Sequence, residues 1–198
     1  MVTFFLLALA KSLNENRFYT FLPLFISDRY LKIYGKEQLP KIDKFSLLLS
    51  VIQIIVITMM FNFILKTYNY TSGNNYLIIS LILTSFISIK YLLEKILASI
   101  FEIEKFVSKF QFNKISYKNL ISILLFPLLI LFIFSKLDSK IMITSMFVIF
   151  LLLNIIALTL TVKKQQKIIL RWFFYFILYL CAFEIIPYLL VIKLILVK

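Results

Sequence analysis

A chain of 198 residues with 62% hydrophobic and only 16% charged side chains, and a mean hydropathy of +0.99, has more apolar surface than a soluble domain of that length can hide, so a bilayer must take the excess. Its net charge of +13 would suit nucleic acid if the basic residues shared one soluble face, but they are distributed segment by segment, which excludes that reading. With no His, a single Cys181 and two glycines, Gly35 and Gly73, zinc sites, internal disulfides, phosphate-cradling loops, dinucleotide fingerprints and glycine-mediated helix dimers are excluded as well.

The chain opens on residues 2–10, a strongly apolar run that stops at Lys11. Roughly 20 residues are needed to cross hydrocarbon about 30 Å thick, so this run reads as the inner half of a span. Either it dips into the membrane and packs on the bundle, or the native chain begins upstream and the run is the remainder of a sixth helix. It lacks the basic start and cleavage site of a signal peptide. The Met1 end is expected to point toward or into the membrane.

Residues 11–44 read as a cytoplasmic, interfacial segment. Phe18, Phe21, Leu22 and Phe25 keep helical spacing, and Pro23 is expected to break or bend that helix. Tyr30, Ile33 and Tyr34 suit the headgroup level, while Arg17, Arg29, Lys32 and Lys36 are expected to meet anionic lipid. A turn is expected at Gly35. Two arrangements fit the pattern equally, a lid lying on the membrane surface or a segment packed on neighbouring spans.

Five long apolar runs follow, at 45–65, 76–89, 120–134, 141–162 and 172–192. They are continuous rather than alternating with period 2, which speaks for helices and against an outer-membrane barrel. In lipid every helical N–H then finds its partner within its own segment. The expected fold is an all-α, polytopic transmembrane helical bundle, one integral membrane domain over 1–198. It has five full spans at about 45–65, 76–97, 118–135, 141–162 and 170–192, plus the N-terminal half-span or truncated sixth helix and interfacial amphipathic helices. The second run breaks at Lys90 but keeps a helical apolar stripe through Val107. Glu94, Lys95, Glu102, Glu104, Lys105 and Lys109 fall largely between the stripe residues and are expected to be solvated at the cytoplasmic surface. Glu102 and Glu104 sit two apart and point to different sides of a helix. Ser116 is expected to cap the third spanning helix.

Charge orients the bundle. Seven basic residues lie in 11–44, six in 90–118 and four in 163–171, against Lys66, Lys136, Lys140, Lys193 and Lys198 elsewhere. Rich and poor segments alternate, which places the rich ones in the cytoplasm and the C-terminus outside. Lys163, Lys164 and Arg171 join the candidate anionic-lipid contacts. No segment between the runs is long enough for a soluble catalytic domain. The Asn69-Tyr70-Thr71 glycosylation pattern is too short to carry weight, and no inverted repeat is visible.

One residue breaks the rules of the bilayer. Glu184 lies midway along 172–192, with Cys181 three before and Tyr188 four after it on the same helix face. A charge at that depth costs about 2.5–3.5 kcal/mol on insertion scales, so it must face protein. Candidate partners are Asn154, Gln53 and Asn62 on other spans, or Lys193 and Arg171 on its own. Pro187 removes a backbone donor and is expected to kink the helix, freeing a carbonyl near Cys181 or Phe183. Glu184 serves either as interhelical glue and a docking point or as a proton- or substrate-binding carboxylate.

The stretch Tyr179-Leu180-Cys181-Ala182-Phe183-Glu184-Ile185-Ile186-Pro187, followed by Lys193, resembles the C-terminal signature of a domain-of-unknown-function family of small polytopic inner-membrane proteins from Bacteroidota. Arg29-Tyr30-Leu31-Lys32-Ile33-Tyr34-Gly35 and Phe45-Ser46-Leu47-Leu48-Leu49 resemble that family's cytoplasmic segment and the span after it. The likeness covers the whole chain, with the C-terminal motif its most specific part. Members usually begin with a complete first span, from which this chain departs. The resemblance implies a polytopic fold and brings no activity.

Together these readings lead to a non-catalytic integral protein of the cytoplasmic (inner) membrane, a subunit or assembly factor of a cell-envelope complex that docks through Glu184. The alternative is a small transporter, channel or lipid-handling protein built around Glu184 and the aromatic-rich start of the last span. Expected partners are the bilayer with its anionic lipids and other membrane subunits or a second copy. No cofactor, metal or nucleic acid is expected.

Overall fold

A computed structural model describes residues 2–35, 44–67, 75–100, 104–134 and 139–164. Among the described residues every regular element is a helix, in the order α1 (Val2–Leu13), α2 (Glu15–Phe21), α3 (Arg29–Tyr34), α4 (Lys44–Thr67), α5 (Tyr76–Ile100), α6 (Glu104–Phe134) and α7 (Ser139–Lys164). The chain divides into two compact units, Met1–Thr159 and Leu160–Lys198, the boundary falling within α7.

Four helices are long and apolar enough to cross a membrane: Lys44–Thr67, Tyr76–Ile100, Val107–Phe134 and Lys140–Lys164. These correspond to the first four expected spans, and this is a multi-pass membrane protein by the length and composition of its helices. The fifth expected span lies outside the described residues. The 12 residues of α1 rise about 18 Å, half of what a span needs. That helix packs on α4, and the Phe4 ring meets Phe126, in the second half of α6, at 4.9 Å.

The core is a seam between α4 and α6. Leu49, Ile52, Val56 and Met60 recur every three or four residues along α4 and are at most 1% exposed, as are Leu120, Ile121, Leu125 and Leu129 on α6. Lipid tails are as apolar as these side chains, so close packing rather than escape from water holds the seam. Phe63 meets Phe132 at 5.1 Å at one end, and Phe45 is linked through Phe21 and Tyr30 to Phe112 at the other. The two helices therefore run in the same sense, with α5 returning between them. None of the most apolar stretch of α5 is buried within the chain. On α7 the residues Ile143, Met146, Phe150, Asn154 and Ala157 form one buried stripe.

Asn14 caps α2 by accepting from the Arg17 N–H at 3.1 Å. Pro23, which has no N–H to give, follows its end as the sequence suggests. The chain then turns, Ile26 and Ser27 both donating to the Pro23 carbonyl at 2.9 and 2.7 Å. The turn expected at Gly35 is present, its N–H donating to Leu31 O at 3.1 Å. A β-carbon there would collide with that carbonyl and touch the Phe112 ring at 3.4 Å, so the close approach requires glycine.

Two expectations at the α5–α6 hairpin are overturned. Ser116 does not cap the third spanning helix: α6 already starts at Glu104, and Ser116 lies inside it, 2% exposed. No Gly or Pro interrupts 104–126, and Glu104 in the first turn complements the helix dipole. Glu94 is not solvated either. It is 7% exposed, for a reason that lies in the site below. Pro127 sits within α6; it withdraws one backbone donor, which spanning helices tolerate when neighbours re-satisfy the freed carbonyl.

Candidate functional site

Residues 110–122 of α6 are largely buried although many of them are polar. Gln111, Asn113, Lys114, Ser116, Asn119 and Ser122 are each at most 8% exposed, interleaved with buried Phe110, Phe112 and Tyr117. Polar groups taken from water at this density need partners, and two clusters supply them to Gln111, Lys114 and Ser116 from different faces of the helix, while Ser122 donates to Lys118 O on its own helix.

On one face stands an ion pair. The Lys114 ammonium donates to Glu94 Oε1 at 2.6 Å, with both side chains under 9% exposed. The Gln111 amide donates to the other carboxylate oxygen at 2.7 Å. Both oxygens of Glu94 are thus engaged, and charge-assisted bonds of this length are the strong kind. The pair ties the last turns of α5 to the third turn of α6.

On the adjacent face is a cation in an aromatic box. The Arg17 guanidinium of α2 lies 4.4 Å from the Tyr34 ring centroid, 5.0 Å from Phe45 and 5.7 Å from Tyr30. One of its N–H groups donates to the Tyr30 hydroxyl at 3.4 Å. Tyr30 in turn stacks on Phe112 with centroids 5.9 Å apart and planes at 17°, and bonds Ser116. Phe25 packs on Tyr117 at 5.6 Å. Of the two arrangements left open for the N-terminal segment, packing on the spans is the one found. Arg17 is accordingly not where a headgroup contact would put it. At 6% exposure it offers lipid almost no surface, because three π-faces and a phenol already surround it.

Burial pushes the Tyr30 phenol above the ordinary tyrosine value, while the Arg17 charge and the bonds from Arg17 and Ser116 pull part of the way back. The sign of the linkage follows. Below about pH 10 the phenol is protonated in folded and unfolded chains alike and the stabilisation is complete. Above it the unfolded chain ionises first, so stability declines as pH rises through the raised folded value. Unfolding measured across an alkaline pH series is expected to show this decline in the wild type, with a flatter profile in Tyr30→Phe.

Both clusters fix helices: they hold α2 and α3 on one side of α6 and α5 on the other through buried charges with near partners. Of the other residues marked in the sequence, Asn154 is 5% exposed and its amide donates to Phe150 O at 2.8 Å. Gln53 is half-buried; Arg29, Lys32 and Lys163 are exposed and Lys164 half-buried. Glu184, Cys181, Tyr188, Pro187, Arg171 and Lys36 lie outside the described residues. Glu94 was read as a surface charge, yet a signal to the contrary was there. It is the sole acid between Asp43 and Glu102, set among apolar neighbours at the end of a spanning run.

No curated protein and no solved structure matches the chain. Residues 1–195 match the model of a family described as a domain of unknown function (DUF4271), and the chain belongs to that family.

Proposed function

We propose that the protein is a non-catalytic component of the cytoplasmic (inner) membrane, a subunit or assembly factor of a cell-envelope complex that docks through Glu184. The observation that supports this most is how buried charge is used in the described bundle. Glu94, Lys114 and Arg17 are each held by a neighbouring helix, which suits a frame that keeps its helices in place. A frame of that kind presents surfaces to other subunits. Glu184 is the one acid within 172–192, and a carboxylate at that depth needs a protein partner.

In this reading the bundle has five full spans and the N-terminal half-span in one membrane domain, with residues 11–44, 90–118 and 163–171 in the cytoplasm and the C-terminus outside. Exposed Arg29, Lys32 and Lys163, with Lys36, Lys164 and Arg171, meet anionic headgroups. The partner is another membrane subunit or a second copy, without cofactor or nucleic acid. The Tyr-Leu-Cys-Ala-x-Glu-Ile-x-Pro segment is its docking signature, and Bacteroidota its setting.

The test is purification of a tagged chain from native membranes in mild detergent. One stoichiometric partner is expected with the wild type, lost from Glu184→Ala while expression persists. Reproducible recovery of the wild type alone would overturn the proposal and favour the transport alternative, and an unchanged complex with Glu184→Ala would remove the role given to that residue.

A further inference from the structure

Hydroxyl and amide side chains on the spanning helices tend to turn back onto their own helix. Ser50 Oγ donates to Ser46 O at 2.9 Å, Thr144 Oγ1 to Lys140 O at 2.8 Å and Thr159 Oγ1 to Ile155 O at 2.8 Å. Asn154 does the same with its amide, to Phe150 O at 2.8 Å. Such a bond to the carbonyl one turn earlier satisfies the group where lipid cannot.

Two residues of α4 depart from this habit. Thr58 is 5% exposed and Asn62 2%, and neither Thr58 Oγ1 nor Asn62 Nδ2 has a hydrogen-bond partner among the described residues. The contrast is between like and like: Asn154 and Thr159 make the local bond, Asn62 and Thr58 do not. Four residues apart, the two share one face of α4 with Cβ atoms about 5–6 Å apart. They lie in its second half, well inside a helix that spans Lys44–Thr67.

We propose that this face of α4 carries an internal water site, in which bound water bridges Thr58 Oγ1 and Asn62 Nδ2. A bridging water stands about 2.8–3.0 Å from each partner, which matches groups set one helical turn apart. Both side chains are neutral, so the site calls for no counter-ion. It calls for a small solute able to accept from an amide and exchange a bond with a hydroxyl, and water is the smallest that does both. Burial of both side chains excludes a headgroup or a peptide.

Radiolytic labelling of the full chain in detergent tests it, because an X-ray pulse converts bound water to hydroxyl radical where it sits. Phe61 and Phe63, half-buried rings that flank the site in sequence, are expected to be oxidised several-fold faster than Phe25, an equally half-buried ring elsewhere in the bundle. Thr58→Val with Asn62→Leu should bring their labelling down to the Phe25 level, whereas Thr58→Ser, which keeps the hydroxyl, should not. Equal labelling of the three rings in the wild type would overturn the inference, as would unchanged labelling in the double variant. If the double variant fails to fold, the wild-type comparison still decides.

Discussion

Lys114→Met is expected to lower the unfolding free energy by about 3–5 kcal/mol, measured by denaturant titration in detergent, because it leaves the Glu94 carboxylate buried beside an uncharged neighbour. Glu94→Gln should cost a comparable amount by stranding the ammonium. The diagnostic variant is the double one. Glu94→Leu with Lys114→Met removes both charges together, and such replacements are often neutral or stabilising, so most of the loss should be recovered. The Gln111 amide, which donates to Glu94 at 2.7 Å, then loses its acceptor and keeps the recovery short of complete. A single variant within about 1 kcal/mol of wild type would place the pair in water after all, in the range of exposed ion pairs.

The second large effect is expected at Arg17. Arg17→Met should cost about 2 kcal/mol or more, since a desolvated guanidinium over aromatic faces is worth roughly that. Its effect should be local. Amide hydrogen exchange is expected to accelerate across 15–34, which Arg17 ties to Tyr30, Tyr34 and Phe45, while the centres of α4 and α6 stay protected. Arg17→Lys should recover only part, because a compact ammonium cannot lie flat against the rings and reach the Tyr30 hydroxyl at the same time. Uniform acceleration throughout the bundle would show instead that Arg17 supports the whole fold.

The four described spans were legible because period and length carry them: α4 and α7 begin and end within a few residues of the expected bounds, and Pro23 and Gly35 marked the breaks around α2 and α3. The polar site was not, and the reason is physical. Hydrophobic patterning reports what a residue is, whereas burial depends on what comes to lie against it. Lys114 and Glu94 are 20 positions apart and meet only when α5 and α6 fold back on each other. Arg17 looked like a headgroup ligand because basic residues near aromatics at an interface usually are. Its enclosure requires Tyr30, Tyr34 and Phe45 to converge from two other helices, which no local spacing announces. Helix α6 begins early for a related reason, since Ser116 has the chemistry of a cap and lies where Tyr30 engages it instead.

The enclosed polar half of α6 also constrains the order of events during synthesis. Residues 110–122 can neither rest in hydrocarbon nor shield their own polar groups, so they need their surroundings in place. Among the described residues, the partners named above come from α2, α3, α4 and α5, every one of which precedes α6 in the chain. A nascent chain emerging N-terminus first therefore has these partners made before the element that needs them, and the polar stretch of α6 leaves the ribosome tunnel when the helices that receive it are already synthesised.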